Sequence, residues 1–168
     1  MHPQLTTLLH EAEYRYLELE DLQKFQTHTV RLSHALAIYN LIQKNEIEIF
    51  QNIANLLIKE FKQTEESTIE LALCNWLTVL RYCAMAMVLN NRDFLNLRLL
   101  EWMKDLVRVR PATVIESRLY EVLIEQLSKV LSAAQMMELN PFLEMAFLEI
   151  ANNTFFSNGE IANQEQLN

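Results

Sequence analysis

Residues 71–89 read LALCNWLTVLRYCAMAMVL and form the longest apolar stretch of the chain, which Asn90 ends. Only Asn75, Thr78 and Arg81 are polar, so a helix built from these residues is apolar on nearly every side and needs other helices around it. A membrane span is the alternative, but Arg81 lies mid-stretch, where a charge costs about 2.5–3.5 kcal/mol on insertion scales. The stretch therefore predicts a buried central helix and no membrane span.

The sequence on both sides of this stretch supplies the surrounding helices. Asn45 followed by Glu48 has the spacing of a capping box and predicts that a helix begins there. Asn140 and Pro141 occupy favourable cap and first-turn positions for the last helix. Helical spacing of apolar residues predicts segments over 5–16, 20–43, 45–61, 93–108, 113–131 and 140–152.

Composition supports an all-α fold in one domain. The 168 residues include one glycine and three prolines, too few for the turns of a strand-rich protein. We expect a single domain over residues 1–156. The closing segment 157–168, SNGEIANQEQLN, is polar and without pattern, and we predict that it is disordered.

Charge and residue usage exclude several kinds of site. A net charge of −8 disfavours a nucleic-acid surface, and a single glycine leaves no phosphate-binding loop. The four histidines lack metal-ligand spacing to the cysteines, so we predict no metal. The N-terminal residues contain no secretory pattern, which predicts a cytoplasmic protein. Nothing supplies an acid, a base and a nucleophile together, so we expect no enzyme.

Three stretches resemble the α and β subunits of phycobiliproteins. Residues 11–17, EAEYRYL, are similar to the family's opening, in which an acid precedes an Arg-aromatic-Leu sequence. Residues 80–82, LRY, resemble the Leu-Arg-aromatic stretch of the family's bilin-bearing helix. Residues 141–155, PFLEMAFLEIANNTF, resemble its closing helix. The order and spacing of these stretches carry the resemblance, which spans residues 5–156.

The resemblance implies a globin-like helical domain preceded by an N-terminal helical hairpin that grips a second subunit, with the hairpin and the first long helix inside residues 1–43. In the family, the acid of the opening pairs across this interface with the arginine of the central helix. Carried over, this makes Glu11 and Arg81 candidates for reciprocal contacts between subunits, with Arg15, Tyr16 and Leu17 beside them. Glu13 is the alternative acid. From the residues alone, Arg81 needs a carboxylate partner within the chain or on another subunit.

The resemblance also locates the position of the family's pigment. There the bilin is attached to a cysteine nine residues before the arginine of the LRY stretch, followed by Leu-Arg-Asp. Here these positions hold residues 72–75, ALCN, so the nucleophile, the cation and the carboxylate are all replaced. We expect no cofactor, with bilin attachment at Cys74 or Cys83 as the alternative. The two thiols are nine residues apart on one helix and cannot form an intrachain disulfide.

Three functions are compatible with a chain that has the family's interface residues and lacks its pigment-binding residues. The first is a non-pigmented accessory protein that docks to a phycobiliprotein, a linker or a photosystem protein, at the cytoplasmic face of the thylakoid. The second is a light-harvesting subunit with bilin at an unusual cysteine or bound noncovalently. The third is a globin-like sensor of an apolar or tetrapyrrole ligand, lined by Trp76, Met85, Met87 and Trp102. A homodimer that imitates the αβ pair is the default assembly.

Overall fold

The computed structural model describes residues 3–106 and 114–164, with the side chains of residues 6–99, 101 and 114–150. This part of the chain contains six helices and no strand, which confirms the all-α prediction. In chain order the helices are α1 (Pro3–Ala12), α2 (Leu19–Glu60), α3 (Glu66–Leu89), α4 (Arg92–Leu106), α5 (Val114–Val130) and α6 (Ala133–Gln164).

Helix α3 is the central helix that its apolar sequence predicts. It packs against α2, α4, α5 and α6, and Val79, Leu80 and Cys83 are fully buried in the contiguous core that these helices share. By length and composition α3 is also apolar enough to cross a membrane, yet half of its most apolar window is already buried against other helices. A core helix passes the same test, so this property does not indicate a span. The helix ends where predicted, because Asn90 adopts a left-handed conformation with φ 47°.

The predicted boundary at Asn45 is wrong, because α2 runs without interruption from Leu19 to Glu60. The Asn45 side chain does not cap a helix start. Its Nδ2 donates back to the carbonyl of Leu41 at 2.7 Å, a bond that a helix interior tolerates. Ile42 and Ile49 are buried on either side of this position, so core packing holds the helix together through it.

Helix α6 begins earlier and ends later than predicted. Ser132 and Gln135 form its capping box, in which the Ser132 N–H donates to Gln135 Oε1 at 2.9 Å, and Pro141 lies inside the helix. The helix continues to Gln164 and so includes residues 157–164 of the segment predicted to be disordered. Residues 165–168 lie outside the described residues.

The N-terminal part of the chain forms the hairpin that the resemblance implies. Helix α1 packs on α2 through the buried Leu8, and the two helices are joined by the turn at residues 13–18. No residue between 19 and 34 is buried, and Ala35 is the first buried residue of α2. The first 16 residues of α2 therefore project from the helical core together with α1.

Candidate functional site

Arg15 fixes the turn of the hairpin through two carboxylates. Its Nη2 lies 2.6 Å from Glu11 Oε2 and 3.0 Å from Asp21 Oδ2, so it links the end of α1 to the first turn of α2. The guanidinium lowers the pKa of the Asp21 carboxyl below its ordinary value. Residues 13–17 lie in the turn, although the sequence predicts a helix as far as residue 16, and here Tyr16 is fully exposed while Leu17 is half-buried. The exposed Tyr16 ring is free to contact another protein.

Arg81 finds its carboxylate within the chain. Its Nε donates to Glu46 Oε2 at 3.1 Å and its Nη2 donates to Glu46 Oε1, which gives a two-point ion pair between α3 and α2. Glu11 pairs with Arg15, and the alternative acid Glu13 lies 3.3 Å from His10. Each predicted interface charge therefore has an intrachain partner, and the exchange of Glu11 and Arg81 between subunits stays a prediction.

Glu46 is not predicted from the sequence as the partner of Arg81, although a signal for it is present. Glu46 follows Ile42 by four residues and precedes Ile49 by three, so it lies on the same side of α2 as two buried isoleucines. A carboxylate at such a position is seldom buried without a cation. The false boundary at Asn45 hid this register, because it split α2 one residue before Glu46.

An open cleft of about 710 Å³ lies beside the Arg81–Glu46 pair, between α2, α3 and α4. Arg98 contributes a second guanidinium to its lining. This guanidinium pairs with Glu101 at 3.0 Å and lies over the Phe94 ring. The rest of the lining is largely apolar and includes Tyr39, Ile42, Ile47, Tyr82, Ala84 and Met85.

One side of α2 connects the projecting hairpin to this cleft. Its apolar residues recur at intervals of three, four, seven or eight positions, which places them on one side of a helix. We call this set the exposed α2 face. It spans about 37 Å at the rise of an α-helix, and the exposed fractions of its side chains range from 38% to 50% in the projecting part and reach 80% at Ile47. Its members are the exposed Leu22, Phe25, Leu32, Leu36 and Ile47 and the half-buried Tyr39.

The position of the family's pigment is occupied by core side chains. Ala72, at the position of the attachment cysteine, is buried, and Trp76 one turn later is 1% exposed. Tyr120 lies 5.4 Å from Trp76 and stacks on Phe147 at 4.3 Å between ring centroids. An alanine methyl offers no nucleophile, and Asn75 no carboxylate. These residues do not fit a covalently attached bilin.

The two cysteines have opposite environments. Cys74 is exposed on α3. Cys83 is buried, its Sγ donates to the carbonyl oxygen of Phe142 at 3.5 Å, and burial raises the pKa of its thiol. A thiol with a raised pKa is a poor nucleophile, so Cys83 is unsuited to form a thioether. Attachment at Cys74 remains an untested prediction and would place a bilin on the outer surface of α3.

The residues predicted to line a ligand pocket do not lie together. Trp76 and Met87 are buried in the core, whereas Met85 is 38% exposed and lines the cleft. The side chain of Trp102 lies outside the described residues. Among the residues that the structure describes, no group of three His, Cys, Asp or Glu side chains is arranged to hold a metal ion. His34 instead lies with its Nδ1 2.7 Å from Glu138 Oε1.

Comparison with known proteins identifies the family. The sequence profile of phycobilisome proteins matches residues 9–150, which is most of the chain. The chain belongs to the phycobilisome protein family. A search of curated proteins gives no match. Members of this family are light-harvesting, non-enzymatic proteins that usually bind bilins and assemble with other phycobilisome subunits. The all-helical, globin-like fold with its N-terminal hairpin is the fold of the family.

Proposed function

We propose that this phycobilisome-family protein is a non-pigmented accessory protein that docks to a phycobilisome or photosystem component. It acts at the cytoplasmic face of the thylakoid, in the assembly or regulation of the antenna, and it is not an enzyme. The docking surface is the exposed α2 face together with the turn of the hairpin.

The observation that carries this proposal is the exposure of apolar residues along the projecting part of α2 and just beyond it. Leu22 is 50% exposed, Leu32 40% and Leu36 43%, and the three lie on one side of the helix. Apolar side chains grouped in this way mark a protein interaction surface in soluble proteins. The neighbouring turn adds Tyr16, which is fully exposed, and tyrosine is enriched in protein interfaces.

The environment of the pigment position supports the non-pigmented part of the proposal. Ala72 lacks a thiol, and the buried Trp76 packs with Tyr120 and Phe147 where the chain would have to leave room for a tetrapyrrole. The family's pigment side of α3 is thus used for core packing. The exposed α2 face, which is the proposed docking surface, carries apolar side chains that the core does not cover.

Cosedimentation with isolated, intact phycobilisomes tests the docking surface. The variant Leu32→Glu places a charge on the exposed α2 face. Val30→Glu is its matched control, since Val30 is also exposed but lies two residues away, about 200° around the helix. We expect the wild-type chain and Val30→Glu to cosediment with phycobilisomes and Leu32→Glu to remain at the top of the gradient.

Two results would count against this proposal. If Leu32→Glu and Val30→Glu bind equally well, the exposed α2 face is not the docking surface. If the wild-type chain binds neither phycobilisomes nor photosystem preparations but sediments alone as a dimer, the face is covered by a second copy of the chain. That second result would favour the homodimer that the sequence analysis predicts.

A further inference from the structure

The charges that line the cleft cancel within the chain. Arg81 is paired with Glu46, and Arg98 is paired with Glu101. The cleft therefore presents aromatic and aliphatic surface between two ion pairs rather than two free cations. A surface of this kind attracts apolar side chains and offers little net charge to an acidic partner.

Glu46 occupies one of the two edges through which the Arg81 guanidinium can bind a carboxylate at two points. The Glu46 carboxylate accepts from Nε and Nη2 together, the two-point geometry that arginine makes with carboxylates. The Glu46 side chain is only 14% exposed, whereas the Arg81 side chain is 61% exposed. A second carboxylate brought to Arg81 would meet a like charge that the fold holds in place, which disfavours its binding.

We propose that Glu46 determines which partner the cleft accepts. The occupant is a partner helix that presents apolar side chains and no carboxylate at Arg81, and this helix continues along the exposed α2 face that leads into the cleft. The inference rests on the proposed docking function and adds a selectivity to it. Glu46 acts as a specificity residue because its charge weakens the attraction of Arg81 for a second carboxylate.

The hairpin turn shows the same arrangement. Arg15 pairs with Glu11 and Asp21 in the same chain. The hairpin turn therefore resembles the cleft, because its arginine is already paired with carboxylates before a second subunit binds. A subunit whose opening carries an acid, as the resemblance implies for phycobiliproteins, is then a poor occupant of this cleft. Selectivity of this kind is achieved by disfavouring the wrong partner rather than by stronger contacts to the right one.

Replacement of Glu46 by glutamine tests the inference, because it removes the charge and keeps the shape. The probe is isolated phycobiliprotein α subunit, and the measurement is its dissociation constant by titration calorimetry with the full chain. Glu48→Gln is the matched control, since it makes the same change of net charge two residues away on an exposed side chain. The double variant Glu46→Gln with Arg81→Gln tests the requirement for the guanidinium.

We expect Glu46→Gln to bind the α subunit at least about tenfold more tightly than the wild-type chain, which is about 1.4 kcal/mol. The gain should shrink between about 0.05 M and about 0.5 M salt, because salt screens an exposed ion pair. Glu48→Gln should behave as the wild type, and the double variant should lose the gain.

Equal or weaker binding of Glu46→Gln would overturn the inference, and so would a gain that survives in the double variant or appears in Glu48→Gln. The proposed function is judged separately, by cosedimentation of the wild-type chain with intact phycobilisomes. If the wild-type chain cosediments but Glu46→Gln gains no affinity for the α subunit, the proposed function stands and the selectivity does not. If the wild-type chain does not cosediment but Glu46→Gln gains affinity, the selectivity stands and the proposed function does not.

Discussion

Arg81 and Glu46 join the central helix α3 to the long helix α2 through a two-point ion pair, with Nε 3.1 Å from Oε2. The pair is uneven, because 61% of the Arg81 side chain but only 14% of the Glu46 side chain is exposed. The guanidinium thus lies at the surface of the cleft and the carboxylate lies beneath it. Because Arg81 is mostly exposed, we expect its replacement to change the stability of the fold little and to change mainly the surface that a partner meets.

We expect Arg81→Ala to lower the free energy of unfolding by less than about 1 kcal/mol, because ion pairs with an exposed member contribute little. Urea unfolding of the wild-type chain and the variant measures this difference. Arg98→Ala is the control, since its ion pair with Glu101 is also exposed. A loss of about 3–5 kcal/mol, typical of a broken buried pair, would contradict this expectation and show that the unpaired Glu46 carboxylate behaves as a buried charge.

The hairpin should loosen in acid. The guanidinium of Arg15 lowers the pKa of the Asp21 carboxyl below its ordinary value of 3.8. The stabilisation is therefore fully present above that value and is lost as the pH falls through the lowered pKa. A carboxyl-carbon NMR titration should show Asp21 titrating below an ordinary aspartate, and Arg15→Ala should raise its pKa. An unchanged Asp21 titration in Arg15→Ala would contradict the ion pair.

The aromatic cluster at the pigment position should contribute strongly to stability. Trp76 is 1% exposed and packs with Tyr120 and Phe147, so Trp76→Ala should cost about 3–5 kcal/mol in urea unfolding. The indole N–H has no hydrogen-bond partner among the described residues. Trp76→Phe should cost less, because it keeps an aromatic ring and removes a buried polar group. Similar small losses in both variants would mean that the cluster is loosely packed and could admit a ligand.

Protein purified from cells that make both bilins and haem should be colourless. Ala72 and Asn75 cannot attach or hold a bilin in the family's manner, and the buried Cys83 has a raised thiol pKa. A visible absorption spectrum, with zinc-enhanced fluorescence on a denaturing gel, measures this directly. A covalent band that disappears in Cys74→Ser would identify a light-harvesting subunit with its pigment at Cys74.

Local sequence predicts the fold where packing and capping agree. The apolar stretch 71–89 predicts α3, and Asn90 ends it because its left-handed conformation closes the helix. At Asn45 and Pro141 the same local signals fail. Buried residues on both sides of Asn45 hold α2 together, and Pro141 is accommodated within α6, whose capping box lies earlier, at Ser132.

The candidate site is predictable only in part, because its residues meet through the packing of helices that are distant in sequence. An arginine inside an apolar helix predicts a carboxylate partner, and Arg81 has one. Sequence does not identify that partner as Glu46, because the two residues are 35 positions apart and meet through the packing of α2 on α3. The exposed α2 face is predictable in part, since its members up to Tyr39 share one side of the predicted helix 20–43 and Ile47 lies beyond the false boundary at Asn45.

Hydrogen exchange of the full chain, free and bound to isolated phycobilisomes, tests the docking surface most directly. The amides of residues 19–36 cover the projecting part of α2 and the two residues after it, and they should exchange readily in the free chain, because Ala35 is the only buried residue among them. We predict that binding slows exchange across residues 19–36 and leaves α5 unchanged. Unchanged exchange at residues 19–36, with protection elsewhere in the chain, would contradict docking through the exposed α2 face.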